Sequence, residues 1–260
     1  RRVALHGVTA EISAPDEPFA ALLGLPFGGY PTADWSGSPN IRVEVLADEE
    51  TGGWIVTNGD LRMFGSRSPA AAARRAEWIV ADNALRRLRH FIHVHAAVVA
   101  SDRQSVLLVG PSGRGKSTTS VGLAQFGLSL YTDDVALIRS DDFRPLAFPR
   151  PIKLDAASRA LLGTIGLRVP QRQRLGESVA RSALPGAPTV AEPGPPIGCA
   201  VFLSHERRNR PELRPLSAAE ALLRLLLQSS TERITPTGPP AGALALVNAV
   251  RCYELVLGDY

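Results

Sequence analysis

The residues best suited to chemistry lie between positions 95 and 134. Gly110-Pro-Ser-Gly-Arg-Gly-Lys-Ser117 fits the pattern G-x-x-x-x-G-K-[ST]. Such a stretch, set between a strand and a helix, aims several backbone N–H groups at one point. The helix dipole adds positive potential there, which suits a phosphate chain. Gly110, Gly113 and Gly115 let the backbone approach an anion closely and take up positive φ. Pro111, Ser112, Arg114 and Thr118 complete the stretch that would surround it. Lys116 has the reach for β- and γ-phosphates, and the Ser117 hydroxyl is a natural ligand for Mg2+. The expected ligand is a nucleoside triphosphate.

Asp133-Asp134 stands between two apolar stretches, Leu128–Thr132 and Val135–Ile138. Adjacent acids between apolar strands are costly to bury unless a cation shares the site. One carboxylate can hold Mg2+ directly or through water, and the other can take the proton of an attacking hydroxyl. The competing reading is a hairpin turn with solvated charges. Asp141-Asp142, in the polar run Arg-Ser-Asp-Asp-Phe-Arg, reads as a turn alone. Ahead of the loop, His93 and His95 share one face of a strand over Phe91–Ala100. A metal pair is disfavoured, because no Cys, Asp or Glu joins them nearby. His95 is taken as functional and His93 as a half-exposed or core group. Arg150, between two prolines, and Lys153 either face the phosphates or the acceptor or belong to an ordinary surface loop.

These groups need elements to hold them. Ser105–Val109 reads as a buried strand feeding the loop, and Ser117–Phe126 as the helix leaving it, with Gly127 as its C-terminal cap. Asp102-Arg-Gln is a hairpin turn joining the His-bearing strand to the loop strand. The order of loop, helix, strand and acidic pair puts the acids at the carboxyl end of a strand beside the loop, where ligands sit in open α/β sheets. Residues 1–67 form a small β-rich region, with strands expected at Thr9–Ser13 and Ile41–Leu46 and a hairpin over Trp54–Phe64. Ser68-Pro69 opens a long helix reaching about residue 89. A short helix is expected over 155–163, an irregular Arg-, Pro- and Gly-rich segment over 164–197, and a strand over Ile197–Ser204. A helix over Ser217–Ser229 carries a capping box at Ser217 and Glu220. A Pro/Gly loop over 235–242, a helix over Ala243–Val250 and a strand over Cys252–Leu257 close the chain. The boundary is drawn at residues 67 and 68, so that 68–260 is one catalytic domain.

Composition sets the outer limits. With 45% hydrophobic and 21% charged residues over 260 positions, the chain can bury a full core and is not of a disordered type. No apolar run approaches the ~20 residues a membrane span needs, and Arg1–His6 shows no signal-peptide core. The missing initiator Met reads as trimming. The only cysteines, Cys199 and Cys252, form no metal-spaced pair, which points to a reduced, cytoplasmic protein. A net charge of +4 without a basic run or interleaved aromatics does not suggest nucleic-acid binding. No membrane partner is expected, and a homo-oligomer is compatible with the sequence.

Residues 91–138 together resemble the catalytic core of the HPr serine kinase/phosphorylase family. The resemblance rests on His95, on Gly110-Pro-Ser-Gly-Arg-Gly-Lys-Ser, on Gln125-Phe-Gly and on Leu130-Tyr-Thr-Asp133-Asp134. It implies an α/β fold, a P-loop HPr-kinase-like core with a central mixed sheet, and ATP- and Mg2+-dependent phosphorylation of a serine hydroxyl on a peptide or protein. Carried over, Lys116 and Ser117 hold phosphates and metal, Asp133 supports the metal or the phosphoryl group, Asp134 is the candidate base, and His95 assists. Phe148-Pro-Arg-Pro-Ile-Lys-Leu and Pro215-Leu-Ser-Ala-Ala-Glu-Ala look like the family's relatives in peptide natural-product clusters. That likeness implies a lasso-type precursor peptide, phosphorylated at a C-terminal serine. A small-molecule kinase on the same fold and a non-enzymatic nucleotide-binding regulator are the alternatives.

Overall fold

The structure, a computed structural model, describes residues 1–184, 186, 192–228 and 240–258. Its contacts divide the chain into two compact units. One comprises Arg1–Leu88, Pro149–Ala156 and Arg168–Ala183; the other comprises Arg89–Phe148, Ala157–Leu167 and Leu184–Tyr260.

The first unit is built on a five-stranded sheet in sequence order. β1 (Arg2–Leu5) and β2 (Val8–Ser13) form a hairpin, and β2 runs parallel to β3 (Ile41–Asp48). β3 then continues antiparallel into β4 (Gly53–Asn58) and β5 (Leu61–Ser66). Ile41, Val43 and Val45 of β3 are buried while Arg42 between them is exposed, which is the period-2 pattern of a one-sided sheet. The expected hairpin is present, and Gly59 takes φ +59° in its turn. A helix not foreseen from the sequence, α1 (Glu17–Leu23), follows β2. Asp16 caps it by accepting from the Phe19 N–H at 2.7 Å, and a proline sits in its first turn.

The long helix α2 (Pro69–Arg87) starts as expected, with the Ser68 side chain accepting from Ala71 N–H. Its face of Ala72, Ala73, Ala76, Ile79, Val80 and Ala84 is buried and packs on β3 and β4. The compact unit therefore runs past the boundary drawn at residue 67, because this small-residue face finds its apolar partner in the sheet. A minor antiparallel sheet of β12 (Ile152–Lys153), β14 (Ser178–Val179) and β13 (Arg174–Leu175) completes the unit, giving order to part of the segment expected to be irregular.

The second unit holds a mixed six-stranded sheet. Its order is β16 (Glu212–Pro215), β17 (Arg251–Gly258), β15 (Ile197–Arg208), β8 (Ser105–Val109), β7 (Ala96–Ala100) and β9 (Ser129–Thr132). β17, β15 and β8 are parallel, and β7 lies antiparallel to both β8 and β9. A separate antiparallel sheet consists of β11 (Pro145–Leu146), β10 (Ala136–Ile138) and β6 (Ile92–Val94). Helix α3 (Lys116–Gln125) packs on β7, β8 and β9, and α4 spans Ala156–Thr164. α5 (Ala218–Leu227) and α6 (Pro240–Ala249) pack on each other and on β17. The capping box of Ser217 and Glu220 forms as expected. α6 begins at Pro240, three residues ahead of the predicted start, since proline is compatible with a first helical turn. Ser229 and residues 235–239 of the predicted loop lie outside the described residues.

One predicted strand differs from expectation. Phe91–Ala100 is not continuous: it divides at His95 into β6 and β7, which belong to different sheets. The two apolar stretches expected on either side of Asp133-Asp134 are present as β9 and β10, with Asp133–Val135 between them. The two segments pair with each other on both sides of the break, Val98 with Thr132 and Val94 with Ala136. Three residues separate these pairs on each segment, 95–97 and 133–135, so the register is the same on both sides; the ladder lapses between them and the pair passes from one sheet to the other.

Candidate active site

The break in the paired strands brings the candidate residues together. β8 and β9 run in the same direction with β7 reversed between them. The carboxyl ends of β8 and β9 and the start of β7 therefore share one edge of the sheet. Gly110 follows β8, Asp133 follows β9 and His95 precedes β7; the pairing of Ala96 with Val109 sets His95 level with Gly110. Polar side chains can gather here because the broken ladder leaves their backbones outside a regular strand.

The loop turns from β8 into α3 through Gly113 at φ +79° and Gly115 at φ +86°. These are left-handed positions that a side chain would strain. Gly115 is the N-cap of α3 and supplies no side-chain cap. The first-turn N–H groups of a helix have no intrahelical acceptor, so an anion can satisfy them. Lys116 is buried at the start of α3, and its ammonium donates to the carbonyls of Gly110 at 2.6 Å and Pro111 at 3.1 Å. Burial lowers its pKa below the ordinary lysine value, while Asp134 and Asp133 draw it back up. The ammonium thus sits in the field of both acids. Ser112 and Gly113 are exposed, and Pro111 and Arg114 are half-buried. Thr118 is turned toward α4, its hydroxyl donating to Ser158 Oγ at 2.9 Å.

The two acids have separate partners. The Ser117 hydroxyl donates to Asp133 Oδ2 at 2.7 Å, and Asp133 is buried. His95 Nδ1 lies 2.8 Å from the Asp134 carbonyl oxygen and 3.1 Å from Asp134 Oδ1. A carbonyl only accepts, so this geometry calls for a proton on Nδ1 and makes Nε2 the acceptor of the neutral ring. The His95 side chain is 33% exposed and that of Asp134 is 37% exposed, so a reactant can reach both. The His95 backbone N–H, released from the ladder, donates to the carbonyl of Gln228 at 2.8 Å. His93 stays in β6 opposite Leu137.

Among the described residues there is no group of three or more His, Cys, Asp or Glu positioned to hold a metal ion. Mg2+ does not require one: it is commonly bound through one or two protein oxygens, with substrate phosphates and water filling the remaining positions. Ser117 Oγ and the Asp133 carboxylate, two hard oxygen donors in contact at the mouth of the loop, fit that requirement.

Arg150 and Lys153 belong to the first unit. Arg150 donates to Glu77 from Nε at 3.0 Å and from Nη2 at 3.3 Å, and the Tyr30 hydroxyl donates to the same carboxylate at 2.7 Å. Lys153 is exposed, with Nζ 3.4 Å from Glu177. Three polar residues of the second unit escaped the sequence reading. Ser204 ends the buried part of β15, Glu254 lies on β17, and Arg224 of α5 donates to Glu254 at 2.8 Å. Burial tends to raise the Glu254 pKa, but hydrogen bonds from Arg224 and Ser204 outweigh it and hold the carboxyl below its ordinary value. Nothing local marks these three: the parallel pairing of β15 with β17 brings Ser204 and Glu254, 50 positions apart in sequence, together, and α5 adds Arg224.

No protein-family model matches the chain, and no curated protein matches it. Among solved structures, the Hpr(Ser) kinase/phosphatase from Coxiella burnetii aligns with 65% of this chain and 86% of its own, with 13% identity and a TM-score of 0.31. A likeness at that score carries no argument, and the functional reading rests on the residues themselves. No helix among the described residues is long and apolar enough to cross a membrane.

Proposed function

We propose that the protein is an ATP- and Mg2+-dependent kinase that phosphorylates a serine hydroxyl of a peptide or protein. The observation that carries this reading is the shared strand break, which sets Lys116, the Ser117–Asp133 contact and the His95–Asp134 contact at one end of one sheet. A nucleotide-binding regulator needs the loop alone, whereas a second acid with an accessible face supplies the base that transfer to a hydroxyl uses.

In this reading the N–H groups of Gly113–Thr118 and the Lys116 ammonium bind the triphosphate. Ser117 Oγ and Asp133 hold Mg2+, which neutralises charge on the β- and γ-phosphates when bound. Asp134 takes the proton from the acceptor hydroxyl as its oxygen forms the new bond to the γ-phosphorus. The bond from the γ-phosphorus to the β–γ bridging oxygen breaks, and ADP leaves with that oxygen. His95 orients Asp134 through Nδ1–H. The same tautomer supports a second assignment, in which His95 Nε2 takes the proton and Asp134 orients the ring.

The resemblance of residues 148–154 and 215–221 to peptide-tailoring relatives adds a candidate substrate, the C-terminal serine of a lasso-type precursor peptide. Incubation with ATP·Mg2+ and serine peptides, followed by mass spectrometry, tests the function. A phosphate added to serine by the wild type and not by Lys116→Ala is the expected result. Transfer retained by Lys116→Ala would sink the assignment of the loop.

A further inference from the structure

The second unit contains a cavity of about 340 Å3 that the loop chemistry leaves unused. Its walls are Val109, Phe202, Leu203 and Leu227, with Gly110 and Pro111 at one end and the Arg224–Glu254 pair on the polar side. We infer that this cavity is the acceptor-side specificity pocket, taking an apolar side chain next to the serine that is phosphorylated. The inference rests on the kinase reading above and deepens it.

Two observations lead there. Gly110 and Pro111, which line the cavity, are the residues whose carbonyls receive the Lys116 ammonium. A loop lysine serves the terminal phosphates, so the cavity opens beside the phosphoryl group that is transferred and away from the nucleoside. Gln228, another lining residue, accepts from the His95 backbone N–H, which ties the cavity wall to the residue paired with Asp134. A group seated in the cavity is therefore held against both halves of the site.

The lining chooses the occupant. Arg224 pairs with Glu254, and Glu206, also on the lining, pairs with Arg208 and Arg214, so the polar side offers no uncompensated cation to an anion. Ser204, His205 and Gln228 also line the cavity, while Val109, Phe202, Leu203 and Leu227 give it an apolar wall, against which burying an aliphatic or aromatic side chain is favourable. The apolar surface also continues out of the cavity along α5, where Leu227 is 81% exposed and Leu223, one turn earlier, is 66% exposed. That strip extends beyond what a small molecule filling the cavity would cover, and it suits a peptide lying along the helix.

The test uses the full chain, labelled ATP·Mg2+ and a library of serine peptides in which each flanking position is varied in turn. The wild type is expected to favour Leu, Ile, Met or Phe over Asp or Lys at one flanking position by about tenfold or more, as an apolar pocket discriminates. Leu227→Glu is expected to reverse that preference toward Lys and Arg, and Leu223→Glu, on the surface, to weaken it. ATP affinity is read on the same proteins. A wild type without apolar preference, or a Leu227→Glu variant with unchanged preference, overturns the pocket assignment. So does a Leu227→Glu variant that loses ATP affinity with its preference intact, because the cavity would then belong to the nucleotide. ATP binding with no peptide phosphorylated overturns it too, whereas failure of the wild type to bind ATP defeats the kinase reading itself.

Discussion

Each unit contains an acid held by a cationic or ring nitrogen, and the two clusters differ in what they leave open. In the first unit Glu77 is 4% exposed and receives two hydrogen bonds from Arg150 and one from Tyr30. Its lone pairs are committed and no reactant can approach. In the second unit the His95–Asp134 contact is about one-third exposed on both sides and lies next to a glycine turn. A buried acid holds elements together; an acid with an accessible face can exchange a proton. Arg150 shows why residue type alone misleads. A proline-flanked arginine looks equally suited to a phosphate or a carboxylate, and only the position of Glu77 on α2 decides between them.

The comparison can be broken by substitution. The largest effect is expected from Asp134→Asn, which should lower kcat by about 10^2–10^4-fold, the usual contribution of a general base. Nucleotide affinity and melting temperature should stay near the wild type; a near-normal rate would remove Asp134 from the chemistry. Glu77→Ala should act oppositely, costing about 3–5 kcal/mol in denaturant unfolding, because Arg150 is left without its buried acid. A loss of rate without loss of stability would show that the first cluster is not structural. His95→Gln should lower kcat by about 10–100-fold, as loss of an orienting partner does. A loss equal to that of Asp134→Asn would instead make His95 the base.

The smallest effect is expected at Tyr30→Phe, about 1 kcal/mol near neutral pH. Burial and Glu77 raise the Tyr30 phenol well above its ordinary value. Its contribution is therefore complete below the unfolded value of about 10 and is lost as pH rises past that value toward the folded one. The variant should flatten that alkaline loss; an identical pH profile would mean that the phenol stays wet.

Local signals carried much of this to the surface of the sequence. The loop, its flanking strand and helix, the caps at Ser68 and Ser217 and the turn at Asp141-Asp142 all depend on residues within a few positions of each other. So does the presence of Asp133-Asp134 between apolar strands. The division at His95 was not legible, because Val94 and Ala96 carry the same apolar content straight through. Only the pairing of β6 with β10 and of β7 with β9 reveals that the strand changes sheets there. The Glu77–Arg150 and Arg224–Glu254 contacts were hidden for the same reason, since each joins segments far apart in the chain. Helix α1 was hidden by its brevity: a cap and seven residues leave little periodicity to read.

The interleaving of the two units bears on how the chain is made. Glu77 leaves the ribosome 73 residues ahead of Arg150, which at ordinary synthesis rates is a delay of roughly 4–15 s. During that interval the cation that pairs with Glu77 has not yet been made. The segments Pro149–Ala156 and Arg168–Ala183 arrive only after the phosphate-loop strand and its helix have been synthesised. The unit begun first is thus completed in the middle of the second, and assembly is nested rather than sequential.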